Sequence, residues 1–186
     1  ELGPIGAGTL AHGVLLHSTL ALAEAGAVLG GLGLQTWARP TGDVPGPEAK
    51  ESATWLHGID QARQVVWESA WAAGATAPPR LLHLMDREGD VYEVLQWVEE
   101  VGDSAIIRCV HNRRVEEPMR LAHAAVRAQP VLGRVTLTVP RSHGKPSRTA
   151  TVAMRALTTT LRPDREKSPH AWPLTWTLVE VWEPHP

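Results

Sequence analysis

The stretch Arg80–Val98, RLLHLMDREGDVYEVLQWV, decides the fold. Leu81–Met85 is an apolar run of strand length that stops abruptly at Asp86. Val91, Val94, Leu95 and Val98 then recur at the 3.6-residue period of an amphipathic helix. A buried strand running straight into a helix predicts a parallel strand–helix unit, with Asp86 at the strand's carboxyl end. Open α/β sheets carry their chemistry there, and a carboxylate in that place can hold a hard cation such as Mg²⁺. Asp is also a good helix cap, so Asp86 or Asp90 has an equally ordinary reading as a cap. Asp86, Glu88 and Asp90 alternate as in a calcium loop, but Val91 and Trp97 stand where that loop needs Gly and Glu.

Working outward, Ser104–Val110 is a second apolar run beyond Gly102 and predicts a parallel partner for the Leu81 strand. Arg108 lies within it, and an Arg in a buried strand calls for an anionic partner. Upstream, Ala11–Glu24 and Ala27–Ala38 read as an antiparallel pair joined by a short turn, the second bent at Gly30, Gly31 and Gly33. His12 and His17 read as strand histidines without metal-ligand spacing. A loop at Arg39–Pro47 precedes a helix from about Glu48, whose stripe is Trp55, Ile59, Ala62, Val66 and Ala70, broadened by Trp67 and Trp71. Downstream, Pro118–Gln129 predicts a short basic helix. Val131–Pro140, Arg148–Ala156 and Leu174–Trp182 alternate with period two, as half-exposed antiparallel strands do, and Leu157–Arg162 adds a further short strand.

The chain has 186 residues, 43% hydrophobic, one cysteine and a net charge of −2. That excludes an internal disulfide and a wholly basic nucleic-acid binder, and no stretch approaches membrane-spanning length. The charge is uneven. Ser104–Arg155 carries ten Arg and Lys against two acids, a local excess of +8. Such a block beside an acidic strand end is the footprint of a phosphate-backbone binder.

The local wording is more specific. ELG at 1–3, HSTLAL at 17–22, TWARP at 36–40, KESATWL at 50–56, MDREGDVYEVL at 85–95, AIIRCVHNRR at 105–114, QPVLG at 129–133 and PLTWTLV at 173–179 occur in this order. In that order they resemble the cut-and-paste bacterial transposases of the insertion-sequence-four family, the group of the transposon-five transposase. The resemblance spans nearly the whole chain. It implies an α/β, ribonuclease-H-like catalytic core, incomplete here, with an antiparallel β insertion. Residues 1–116 would be core, 117–173 the basic β-rich insertion, and 174–186 a final strand returning towards the core.

It also implies function. The family cleaves DNA and transfers strands with an Asp, Asp, Glu triad holding two Mg²⁺ (or Mn²⁺) ions. By similarity Asp86 is the second carboxylate, both catalytic residue and metal ligand. The first Asp is expected upstream of Glu1 and the Glu beyond Pro186, so the fragment alone is expected to be inactive. Arg108, His111, Asn112, Arg113 and Arg114 match family positions at the transposon-end DNA, and Trp176 matches a tryptophan at a site for a flipped base. The implied partners are double-stranded DNA, both transposon ends and target, and a second copy in a homodimer on paired ends. The implied setting is the bacterial cytoplasm at the nucleoid, with no membrane. The alternative is a non-catalytic DNA-binding remnant or domesticated module.

Overall fold

The computed structural model describes residues 5, 11–39, 53–116, 118, 120–142, 144–166 and 168–184. The expected loop at Arg39–Pro47, the helix start near Glu48, and the ELG and KES segments lie wholly or largely outside these residues. The chain is mixed α/β, with eight strands and three helices among the described residues, and divides into two compact units, Glu1–Cys109 and Val110–Pro186.

In the first unit, β1 (Leu15–Leu22) and β2 (Val28–Trp37) form the expected antiparallel hairpin. Thr19 pairs with Gly33 but Leu20 with Gly31, and Ala21 with Gly30 but Leu22 with Val28. Leu32 and Leu29 are therefore bulged out beside the glycines, which is the anticipated bend. Helix α1 (Ala53–Ala72) packs on this hairpin. Its approach is close: a Cβ on Gly58 would lie 3.1 Å from His17 Nε2 and 3.3 Å from Thr19 Oγ1, and one on Gly33 would collide with the Gln61 side chain. The strand face turned to the helix therefore carries His17, Thr19 and Gln35, while Leu16, Leu20, Leu22 and Leu34 point to solvent. On α1, Ile59 and Ala62 are buried, but Trp71 is 56% exposed, so it does not broaden the apolar stripe as expected. The helix ends at Gly74, whose φ of 84° suits glycine; Ala75 N–H donates to Ala70 O and Gly74 N–H to Trp71 O.

Strands β3 (Leu82–Met85) and β4 (Ser104–Ile107) pair in parallel, as the apolar runs predict, with α2 (Tyr92–Glu100) between them in the chain. Val94, Leu95 and Val98 of α2 are buried. Gly102, with φ 73°, closes α2 in the same way as Gly74 closes α1. Leu82, Leu84 and Ile106 stand exposed on one side of the β3–β4 pair. At the amino ends of these strands Asp103 gathers its neighbours: Arg63 Nη1 donates to it at 2.5 Å, His83 Nε2 lies 3.0 Å away, and Leu81 N–H donates at 3.1 Å. Trp97 Nε1–H donates to Asp60 at 2.8 Å, so α1 is held to α2 as well.

In the second unit, β6 (Gly133–Val139), β7 (Arg148–Arg162) and β8 (Leu174–Trp182) form an antiparallel sheet, with short β5 (Arg114–Val115) on the far end of β7. The two segments Arg148–Ala156 and Leu157–Arg162 are one continuous strand, because β8 pairs with β7 from Ala153 to Leu161 and bridges the expected break. β8 thus belongs to the same sheet as the insertion strands. Helix α3 (Ala122–Arg127) packs on β7 and β8, and Leu174, Leu161, Val126 and Ala125 are buried there.

A carboxylate at a strand end and a basic second unit

Asp86 follows the last residue of β3, at the carboxyl end of a parallel pair. The chain does not pass directly into the helix. Arg87–Gly89 form a 3₁₀ turn, and α2 starts only at Tyr92. Asp86 caps this turn, its Oδ1 accepting the Glu88 N–H at 2.9 Å. A Cβ on Gly89 would come within 2.8 Å of the Met85 Cβ, so only glycine lets the turn fold back over the strand end. The cap reading and the strand-end reading of Asp86 are both realised, since one oxygen caps while Oδ2 has no hydrogen-bond partner among the described residues. Asp90, by contrast, is buried at 3% exposure.

Arg108 N–H donates to Met85 O at 3.1 Å, which puts Arg108 beside Asp86 at the end of the ladder. Its side chain is exposed, past the end of β4, and the anticipated buried Arg within a strand is not found. The strand ends at Ile107, so water supplies the solvation that a buried partner would have provided.

A further residue feels the charge of this strand end. Burial lowers the His17 imidazole below its ordinary value, opposed by the negative fields of Asp86 and Glu88. His17 stands edge-on to Trp55, ring centroids 4.7 Å apart. A neutral imidazole thus lies within the field of the Asp86 carboxylate. Sequence reasoning placed His17 on a strand and stopped there. The signal was the apolar Leu16, Leu20 and Leu22 in the alternate register, which put His17 and Thr19 together on the opposite face.

The chemistry of the donor set suits a hard cation in part. Asp86 offers an exposed carboxylate oxygen, which Mg²⁺ or Mn²⁺ prefers. Among the described residues, no group of three or more His, Cys, Asp or Glu side chains is placed to hold a metal ion.

The other anticipated residues lie in the second unit. Asn112 Oδ1 accepts the His123 N–H at 2.9 Å, so the side chain ties the segment to the start of α3. His111 O accepts the Arg113 N–H at 3.0 Å, and Arg113 O accepts from Ala122 at 2.9 Å. Arg114 is exposed in β5. Trp176 pairs with Thr159 across β7 and is half-buried, on the strand face that also carries buried Leu174 and Glu180.

The basic excess is smaller in space than along the chain. Arg127 and Arg155 both bind Glu180, at 3.0 and 2.6 Å, and Arg148 binds Glu183 through two hydrogen bonds of 2.5 and 2.7 Å. Partial burial pushes the Glu180 carboxyl up, but the two arginines outweigh it and hold it below its ordinary value. Arg148 holds Glu183 down likewise. No helix among the described residues is long and apolar enough to cross a membrane. No family model matches the chain, and no curated protein sequence matches it.

Proposed function

We propose that this chain is the central part of a cut-and-paste DNA transposase, with Asp86 as one of three carboxylates that hold two divalent ions against the scissile phosphate. The observation that carries the reading is the placement of Asp86: exposed, at the carboxyl end of a parallel strand, its orientation fixed by the Glu88 N–H. Arg108 at the same end of the ladder supplies positive charge for a DNA phosphate. We further propose a ribonuclease-H-like core whose remaining strand and helices cover the exposed apolar sides of β1–β2 and β3–β4. That would explain why Leu16, Leu20, Leu82, Leu84 and Ile106 face solvent here. The first Asp and the Glu belong, on this reading, to neighbouring segments of the full-length protein.

Each residue then has a task. Asp86 orients a metal ligand oxygen, and its fixed carboxylate avoids reorganisation during reaction. Bound divalent ions would supply an activated oxygen nucleophile and stabilise the leaving oxygen of an in-line displacement. Arg108, His111, Arg113 and Arg114 contact the DNA backbone and Asn112 holds their segment on α3. Trp176 offers an aromatic face to an unstacked base. The working assembly would be a homodimer on two transposon ends.

The test uses the full-length gene product with its own transposon-end DNA and Mg²⁺. Asp86→Ala should abolish nicking and strand transfer while leaving end binding within a few fold. Cleavage at the wild-type rate would remove Asp86 from the metal site. End binding with no cleavage by the wild-type protein would favour the non-catalytic DNA-binding module.

A further inference from the structure

We propose that Arg114, Arg162 and Arg120 form a clamp for the phosphate backbone of duplex DNA on the outer face of the β5–β7 ladder, with Glu116 holding part of it in the unbound state. The clamp rests on the DNA-binding reading above and adds two arginines and a carboxylate that the sequence resemblance does not single out. β5 and β7 are paired at two positions, Arg114 with Arg162 and Val115 with Leu161. Val115 and Leu161 are buried, at 5% and 3% exposure. Directly opposed residues share a face and the next pair takes the other, so Arg114 and Arg162 both point outward. Like charges directly opposed across a ladder repel each other. This short ladder nevertheless presents two guanidinium groups as its only outward pair.

One carboxylate answers them. Glu116 Oε1 accepts from Arg162 Nη2 at 2.7 Å. A third arginine lies on the other side of β5, where Arg120 O accepts the Val115 N–H at 3.1 Å. A regular ladder residue opposite buried Val115 would turn inward with it. Arg120 instead has φ 57° and is exposed. It is the sole non-glycine residue with positive φ among the described residues. Neither Arg114 nor Arg120 makes an ion pair among the described residues, whereas Arg127, Arg148 and Arg155 of the same unit are each held by Glu180 or Glu183. Among the described residues, three arginines face one exposed acid at this end of the ladder. Guanidinium forks match phosphate oxygens in pairs, which suits them to a backbone of phosphodiesters. DNA phosphate would take the place of Glu116 on Arg162.

The experiment measures binding of the chain to a fluorescein-labelled random-sequence DNA duplex by anisotropy, across a series of KCl concentrations, with melting temperatures in parallel. The double variant Arg114→Gln/Arg162→Gln should bind at least about tenfold more weakly. Its slope of log K against log[KCl] should be shallower by about 2, from roughly 0.9 per lost phosphate contact. Glu116→Gln should act in the opposite sense, with tighter binding and a steeper slope. Arg148→Gln removes the same charge from the far end of β7 and should change affinity less than about twofold, since Glu183 already holds that side chain. Arg120→Gly should separate stability from binding: glycine relieves the left-handed backbone and raises the melting temperature by about 2–4 °C, while affinity falls. If the double variant melts below the assay temperature, the single Arg162→Gln and Glu116→Gln variants decide. A wild-type chain that binds duplex with unchanged affinity and slope in the arginine variants overturns the clamp alone. A wild-type chain that binds no duplex at low salt overturns both the clamp and the DNA reading.

Discussion

Asp103 shows how a single carboxylate can organise the end of a sheet opposite to the candidate site. Its side chain is 2% exposed, yet it accepts from Arg63 and from the Leu81 N–H and meets His83. Burial pushes the carboxyl up, but these hydrogen bonds outweigh it and hold it below its ordinary value of 3.8. The folded state therefore releases the proton more readily than the unfolded chain. The stabilisation is complete above the ordinary value and is lost as pH falls through the lower, folded value. Asp103→Asn should cost about 3 kcal/mol near neutral pH, because Arg63 is left half-desolvated without its partner. It should also flatten the stability curve below pH 3.8, as read from urea midpoints at several pH values. Trp176 makes a contrasting case. It is half-buried beside a fully buried Leu174. Trp176→Ala should cost about 2 kcal/mol, below the 3–5 of a fully buried aromatic, and Leu174→Ala about 3 kcal/mol. In the full-length protein, a hairpin-step defect beyond that loss of stability would mark Trp176 as a base contact.

At the scale of elements, α1 rests on the β1–β2 hairpin through glycine. Gly58 lies in a helix interior, where alanine would ordinarily be better by about 1 kcal/mol. Here a Cβ would press on His17 and Thr19. Gly58→Val should destabilise by about 2–3 kcal/mol through overpacking, visible as a lowered melting temperature. The elements themselves were largely legible. The period of Val91, Val94, Leu95 and Val98, the alternation of β6 and β8, and the apolar runs of β3 and β4 located them within a few residues. What the pattern could not convey was which side of an element faces inward. Leu16, Leu20 and Leu22 lie on the solvent side of β1, because the close approach at Gly58 and Gly33 reserves the helix-facing side for small and polar groups. Trp71 shares the helical spacing of Trp67 and meets its ring at 6.0 Å, yet it is 56% exposed, which spacing alone does not convey.

At the scale of the whole molecule, the candidate site was legible in one residue and less so in the rest. An abrupt end of an apolar run placed Asp86 correctly. Proximity between distant segments has no such signature, so the edge-on contact of His17 with Trp55 and the pairing of Arg162 opposite Arg114 were not readable from spacing. Charge was misleading for a related reason: Glu180 and Glu183 lie beyond the basic span and neutralise three of its arginines in space. The exposed leucines have a consequence for handling. Contiguous apolar surface promotes association, so the isolated chain should bind a hydrophobic dye and self-associate with rising concentration. Leu16→Thr/Leu84→Thr should reduce both, as followed by dye fluorescence and sedimentation velocity. A monomer with no dye binding would mean that these side chains cover one another in solution.

The two bulges in β2 bear on what lengths of gene this hairpin tolerates. Leu29 and Leu32 have no partner of their own in the ladder. Losing the codon for Leu29 would leave Val28 opposite Leu22 and Gly30 opposite Ala21, as they are now. Losing the codon for Leu34 would shift every later residue against β1 and send His17's neighbours to the wrong side. The hairpin thus carries its own places for in-frame shortening, and inherited length differences should collect at 29 and 32 while the residues between Leu34 and Trp37 keep their number.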